Sequence, residues 1–195
     1  MPSLKPLNAI VIALATLGAT ISSAGDFRAS LRTGYGSNSI TTTTQTLGQS
    51  NFAVAGEMDF ALDSRRTVGI EVMRTLSSSD LTSSTGVTGF VFKQYFLNPL
   101  PVRASDLEGV EHTTVYQRSF APYLGASSGY GSAVVQGKRP GLGLAASGIY
   151  LAAKAGFDLP ISGPLGLQAE LAYGSTFGGE AFQILSATGG ICFLF

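Results

Sequence analysis

From Phe27 onward the sequence alternates apolar and polar residues with a period of two, and in nearly every stretch the charges fall on one face while the other is apolar. That period belongs to β-strands. No run after Ile21 reaches the roughly 20 apolar residues that a membrane-crossing helix needs. The apolar surface is therefore spread over many short strands.

Eight such segments can be counted: Phe27 to Tyr35, Phe52 to Leu62, Thr67 to Leu76, Val87 to Leu97, Thr114 to Tyr130, Ile149 to Leu159, Leu165 to Tyr173, and Phe182 to the terminus. Polar or glycine-rich stretches separate them: SNSITTTTQTLGQS, the turn Asp63 to Arg66, SSSDLTSSTG, Gly131 to Ser147, Pro160 to Pro164 and Gly178-Gly179. Pro122 weakens the fifth segment, since proline cannot donate to a ladder. Asn98 to Thr113 has no readable pattern.

Compartment is read from residues 1–24. Lys5, an apolar run from Ala9 to Ile21 and the small residues Ser22, Ser23 and Ala24 have the three-part layout of a secretory signal peptide cleaved after Ala24. The expected mature domain is 25–195. The single cysteine, Cys192, excludes an internal disulfide framework and reads as a small buried side chain. Charged residues are 12% of the chain, about half the usual share, and net charge is zero. With no basic cluster longer than Arg65-Arg66 or Lys138-Arg139, nucleic acid is not an expected partner.

Strands with one charged and one apolar face, and no helices to cover the second, are satisfied by closing into a barrel with the apolar face toward lipid. Closure pairs every backbone group and leaves no edge in the hydrocarbon. A secreted barrel with its apolar face inward has the same periodicity. The last residues separate the two. Gly190-Ile191-Cys192-Phe193-Leu194-Phe195, with Ile191, Phe193 and Phe195 on one face, resembles the C-terminal signature of bacterial outer-membrane barrels, which implies recognition by the barrel-assembly machinery. Pro122 to Ala126 with Gly129-Tyr130-Gly131, and Gly148 to Phe157, resemble strands of the small eight-stranded family that includes OmpX, the transmembrane domain of OmpA and the opacity proteins. The resemblance implies an antiparallel up-and-down transmembrane barrel in the outer membrane, with periplasmic termini, short periplasmic turns and longer outer loops. Asn98 to Thr113 is long for a periplasmic turn, so it is either an insertion or two further strands, making ten.

The inward faces carry Arg28, Arg32, Lys93, Arg118 and Lys154 against Glu57, Asp59, Glu71, Asp158 and Glu170. Side chains fill an eight-stranded barrel and buried charges there must be paired, so the expectation is a salt-bridged lumen rather than a wide pore. Outer-membrane lipid is the expected partner, and no catalytic residue, cofactor or metal site is assigned. The only histidine, His112, lies in the unreadable stretch; with Glu108 and Glu111 it matches no known ligand spacing and reads as a solvated turn. Gly141-Leu142-Gly143 lacks the strand-then-helix context of a phosphate-binding loop. The leading functional reading is a non-catalytic barrel with a structural or surface-interaction role, such as adhesion. Its rivals are a narrow OmpW-like solute channel and, third, a lipid-modifying enzyme dependent on His112.

Overall fold

The computed structural model describes residues 27–42, 46–76, 82–97, 102–103, 114–115, 120–136, 143–162, 164–177 and 181–194. Among these residues ten strands follow one another: β1 Phe27–Thr41, β2 Thr46–Ala61, β3 Arg66–Leu76, β4 Thr82–Tyr95, β5 Val102–Arg103, β6 Thr114–Val115, β7 Ala121–Gln136, β8 Gly143–Ser162, β9 Leu165–Phe177 and β10 Ala181–Leu194. Eight close into a barrel in the order β1-β10-β9-β8-β7-β4-β3-β2, every pair antiparallel. β5 and β6 form a separate two-stranded sheet. The barrel count is thus eight, not ten, and the described part of the long connection between β4 and β7 adds no barrel strand but carries its own short pairing.

Alternation in the strands becomes alternation of exposure. In β2, Ala53, Ala55, Glu57 and Asp59 are buried while Phe52 and Phe60 are exposed. In β9, Gln168, Glu170 and Ala172 are buried while Leu167, Leu171 and Tyr173 are exposed. Charge goes in and grease goes out, the reverse of a water-soluble barrel.

Several boundaries differ from those expected. β1 and β2 continue through Ser37 to Thr41 and Thr46 to Ser50, and β4 begins at Thr82, so much of two Ser/Thr-rich stretches is strand rather than loop. Composition hides this, because threonine is β-branched and favours strands even where its hydroxyl meets water. β7 starts at Ala121, since Thr114–Val115 pairs with Val102–Arg103 instead. It then runs on to Gln136, past the glycines expected to end it. Pro122 sits second in that strand, its carbonyl accepting the Phe96 N–H at 3.0 Å. β8 extends to Ser162, with a register irregularity between Pro160 and Ser162. Phe27, expected to face outward with Ala29, is buried, its ring 5.1 Å from that of Phe60.

The β2–β3 turn closes on one side chain. Asp63 Oδ1 accepts the backbone N–H groups of Arg65 and Arg66, each at 2.8 Å, and Oδ2 pairs with Arg66 Nε at 2.7 Å in an exposed ion pair. The Arg65 N–H, followed by the charge and N–H of Arg66, holds the Asp63 carboxyl below the ordinary aspartate range. A carboxyl depressed in the folded state stabilises it above the unfolded pKa, and that contribution fades as pH falls through the folded value. Asp63→Asn is therefore expected to unfold at lower urea than the parent at neutral pH, with the gap closing in acid. Urea midpoints of both proteins across pH 2 to 7 test this, and a gap independent of pH would contradict it.

Candidate functional site: the barrel lumen

Nine of the ten predicted lumen charges lie buried inside the barrel: Arg28, Arg32, Glu57, Asp59, Glu71, Lys93, Lys154, Asp158 and Glu170. Arg118 is outside the described residues, as are His112, Glu108, Glu111 and the expected signal peptide. Of the terminal signature, Ile191 and Phe193 face outward and Phe195 is outside the described residues. Cys192 is buried.

Glu57 is the hub. Its Oε2 accepts from Arg32 Nη2 at 3.0 Å and lies 3.7 Å from Lys154 Nζ; its Oε1 accepts from Lys93 Nζ and lies 3.6 Å from Arg28 Nη2. One glutamate thus touches all four described lumen cations. Toward the chain-terminus end of the barrel, Arg28 also meets Asp59 at 3.0 Å and donates to Asp158 and to the Tyr95 hydroxyl, which itself donates to Asp158 at 2.9 Å. Lys93 reaches Asp59 at 3.3 Å. Toward the barrel's middle, Arg32 Nη1 lies 2.5 Å from Glu170, which also accepts from Lys154 at 3.0 Å and from Tyr123 at 2.8 Å. Pairing at this density is what allows charges to sit in a low-dielectric interior.

Carboxylate oxygens of Glu57, Glu71 and Glu170 lie within 4.8 Å of one another, a spacing that suits a cation. The cation at their centre is the protein's own: Lys154 Nζ contacts all three and is the one partner of Glu71 among the described ion pairs. The chemistry here is charge neutralisation.

Aromatic residues complete this half of the lumen. The Tyr95 and Tyr123 rings lie 5.1 Å apart, with the Arg28 guanidinium 5.5 Å from the first and the Lys93 ammonium 4.8 Å from the second. Gln168, with its amide oxygen toward Arg28 Nη2 (3.0 Å) and Lys93 Nζ (3.1 Å), donates to Ser30 Oγ at 2.9 Å. Tyr95 and Gln168 were readable as inward by parity. Tyr123 was not, because Pro122 obscured the alternation beside it.

The loop-end half of the lumen is filled differently. Ile40, Met73, Val87, Tyr150, Phe182 and Ile184 pack there as a buried apolar cluster. Asn38 donates to Thr75 at 3.1 Å and to Thr85 at 2.6 Å alongside it. Phe182 on β10 crosses the interior: a Cβ placed on Gly131 of β7 would lie 2.7 Å from its ring, although β8 and β9 separate the two strands. The Tyr150 ring stacks on it at 6.4 Å. Gly156 likewise lacks a Cβ where one would fall 2.6 Å from Tyr123 Cζ. Glycine at these two positions makes room for rings that close the interior.

No known family profile matches the chain, and no curated protein sequence does. Among solved structures, neisserial surface protein A is similar with a TM-score of 0.59 and 14% identity, covering 87% of this chain and 97% of that one. The N-terminal β-barrel domain of Pseudomonas aeruginosa OprF gives 0.49 and 10%, covering 84% and 96%. Ail, the attachment invasion locus protein of Yersinia pestis, solved with the heparin analogue sucrose octasulfate, gives 0.48 and 14%, covering 86% and 99%. The likeness to the first is one of fold: this chain is a closed eight-stranded antiparallel barrel.

Proposed function

We propose that the chain spans a bacterial outer membrane as a non-catalytic barrel with a sealed lumen, and that its working surface is the loop end, in a structural or surface-interaction role such as adhesion. The observation that carries this reading is the inversion of the fold: paired charges inside, an apolar wall outside. In water such a wall would be a liability.

The wall has the dimensions of a bilayer. Outward aromatic residues gather at two levels, Phe60, Phe96, Phe157 and Phe193 toward the termini and Tyr35, Phe52, Tyr130 and Phe177 toward the loops. Along β7 and the residue before it, the two levels are marked by Phe120, its ring 5.2 Å from that of Phe157, and by Tyr130, ten residues on. At about 3.3 Å per residue and a tilt of about 40°, that is a band about 25 Å tall. Under this reading residues 1–24 direct export, and Ile191, Phe193 and Phe195 serve as the signal for the barrel-assembly machinery.

Paired charges in one half of the lumen and a buried apolar cluster in the other support a sealed interior, with the loops as the point of contact. The full chain refolded into lipid vesicles is expected to migrate differently on a gel before and after boiling, and to show no steady single-channel steps in a planar bilayer. Recovery of the processed chain as a detergent-free monomer would sink the membrane reading. Reproducible conductance steps would sink the sealed lumen and favour a narrow solute channel.

A further inference from the structure

Among the described strand residues the outward face carries two charged side chains, Arg66 beside the Asp63 turn and Arg74. Arg66 is answered by Asp63. Arg74 is exposed and has no ion pair or hydrogen bond within the described chain. It stands opposite Val54 and Gly86, one outward row below Tyr35, Phe52 and Leu76 of the loop-end aromatic level. An arginine on a lipid-facing wall is costly at the membrane midplane and tolerated at the interface, where its head can reach polar groups. Five N–H donors at that height still need acceptors, and none comes from the described residues.

The wall beside Arg74 is open. A Cβ on Gly86 would meet nothing nearer than Ser132 Oγ at 3.8 Å. From there β4 continues toward the termini with Thr88, Phe90 and Phe92 outward, and the two phenylalanines form one side of an apolar groove of about 640 Å³. The groove exists because Phe92, Ala126, Ala153 and Tyr173 pair in one row across four strands, so two alanines lie between two large rings. Leu151 also lines it, one outward row from Ala153 toward the loops.

We infer that Arg74 and this groove form a site for one anionic, phosphate-bearing membrane lipid in the loop-end leaflet, its phosphate on the guanidinium and an acyl chain along Phe90, Ala126 and Ala153. Charge complementarity selects the headgroup, because a guanidinium matches a phosphate bidentately. The groove is lined mainly by apolar side chains, with Ser127, Ser128 and Ser175 also along it, and its Phe90 edge lies four residues along β4 from Gly86, the residue paired with Arg74. The inference rests on the membrane reading proposed above.

The test uses the full chain refolded into phosphatidylcholine vesicles, with trace spin-labelled phosphatidylglycerol or phosphatidylcholine and electron spin resonance to measure association of each. The parent protein is expected to prefer the phosphatidylglycerol probe about fivefold, the scale of one basic residue near a membrane surface. Arg74→Gln should bring that preference to parity, and Arg66→Gln should leave it unchanged. Ala153→Phe, which fills the groove, should lower phosphatidylglycerol association with the folded form still present by gel shift. An unchanged preference in Arg74→Gln, an equal loss in Arg66→Gln, or an indifferent Ala153→Phe would overturn the site. A dimer that Ala153→Phe disrupts would assign the groove to a second copy and overturn it too. Absence of any heat-modifiable folded form would remove the membrane reading, and the site with it.

Discussion

Lys154→Met is expected to destabilise the folded barrel by about 3–5 kcal/mol, the cost of leaving a buried charge without its partner. The methionine keeps most of the side-chain volume, so lost packing contributes little. Charge decides the outcome. Glu57 retains Arg32, Lys93 and Arg28, and Glu170 retains Arg32 and Tyr123, but Glu71 has no other cation within ion-pairing distance among the described residues. Its carboxylate is 5% exposed, too little for water to replace the ammonium. The double variant Lys154→Met with Glu71→Leu removes both charges, and apolar replacement of a buried pair is often neutral or stabilising, so it should recover most of the loss. Calcium present during refolding should rescue the single variant in part, because the three carboxylates then surround an unfilled centre of cation size. Urea titration followed by the mobility of the folded form measures all three. A single variant within about 1 kcal/mol of the parent would show that the network is held elsewhere.

How much of this was visible in the chain depends on which quantity is asked for. Parity is local, so Glu57, Asp59, Glu71, Lys93, Lys154, Asp158 and Glu170 could be set inward one strand at a time, and the structure buries each of them. Height in the barrel is not local. Which cation meets which carboxylate follows from the register of eight strands and their stagger, and no single segment encodes that. Glu57 therefore looked like any other inward acid, although it touches four cations. Strand ends are obscured for a different reason: Thr82 to Gly86 is polar or glycine on both faces and Ser37 to Thr41 is polar apart from Ile40, so the periodic signal fades while backbone pairing continues. Arg74 carries no signal of its own in the sequence, because one charge on an apolar face reads as noise until the face is known to be a wall.

The apolar half of the lumen leads to the second large effect. Phe182→Ala is expected to cost about 3–5 kcal/mol, the usual range for deleting a buried phenyl ring, since it removes the group that spans from β10 to Gly131 and stacks on Tyr150. Gly131→Leu in the parent should also destabilise, because its side chain would enter space the Phe182 ring occupies. Combined, the two changes should be less damaging than their sum, the leucine growing from β7 into the cavity left on β10, and a coupling energy of about 1–3 kcal/mol is expected for side chains in direct contact. Additive losses would mean that Phe182 does not bridge the lumen. Conductance supplies an independent check. The charge cluster and the Tyr95–Tyr123 pair lie on the far side of Phe182 from the loops, so removing that ring should unseat one closure and leave the other in place. Phe182→Ala should accordingly be less stable and still silent in a planar bilayer; steady openings in that single variant would mean that the paired charges conduct and that the aromatic layer alone is the seal.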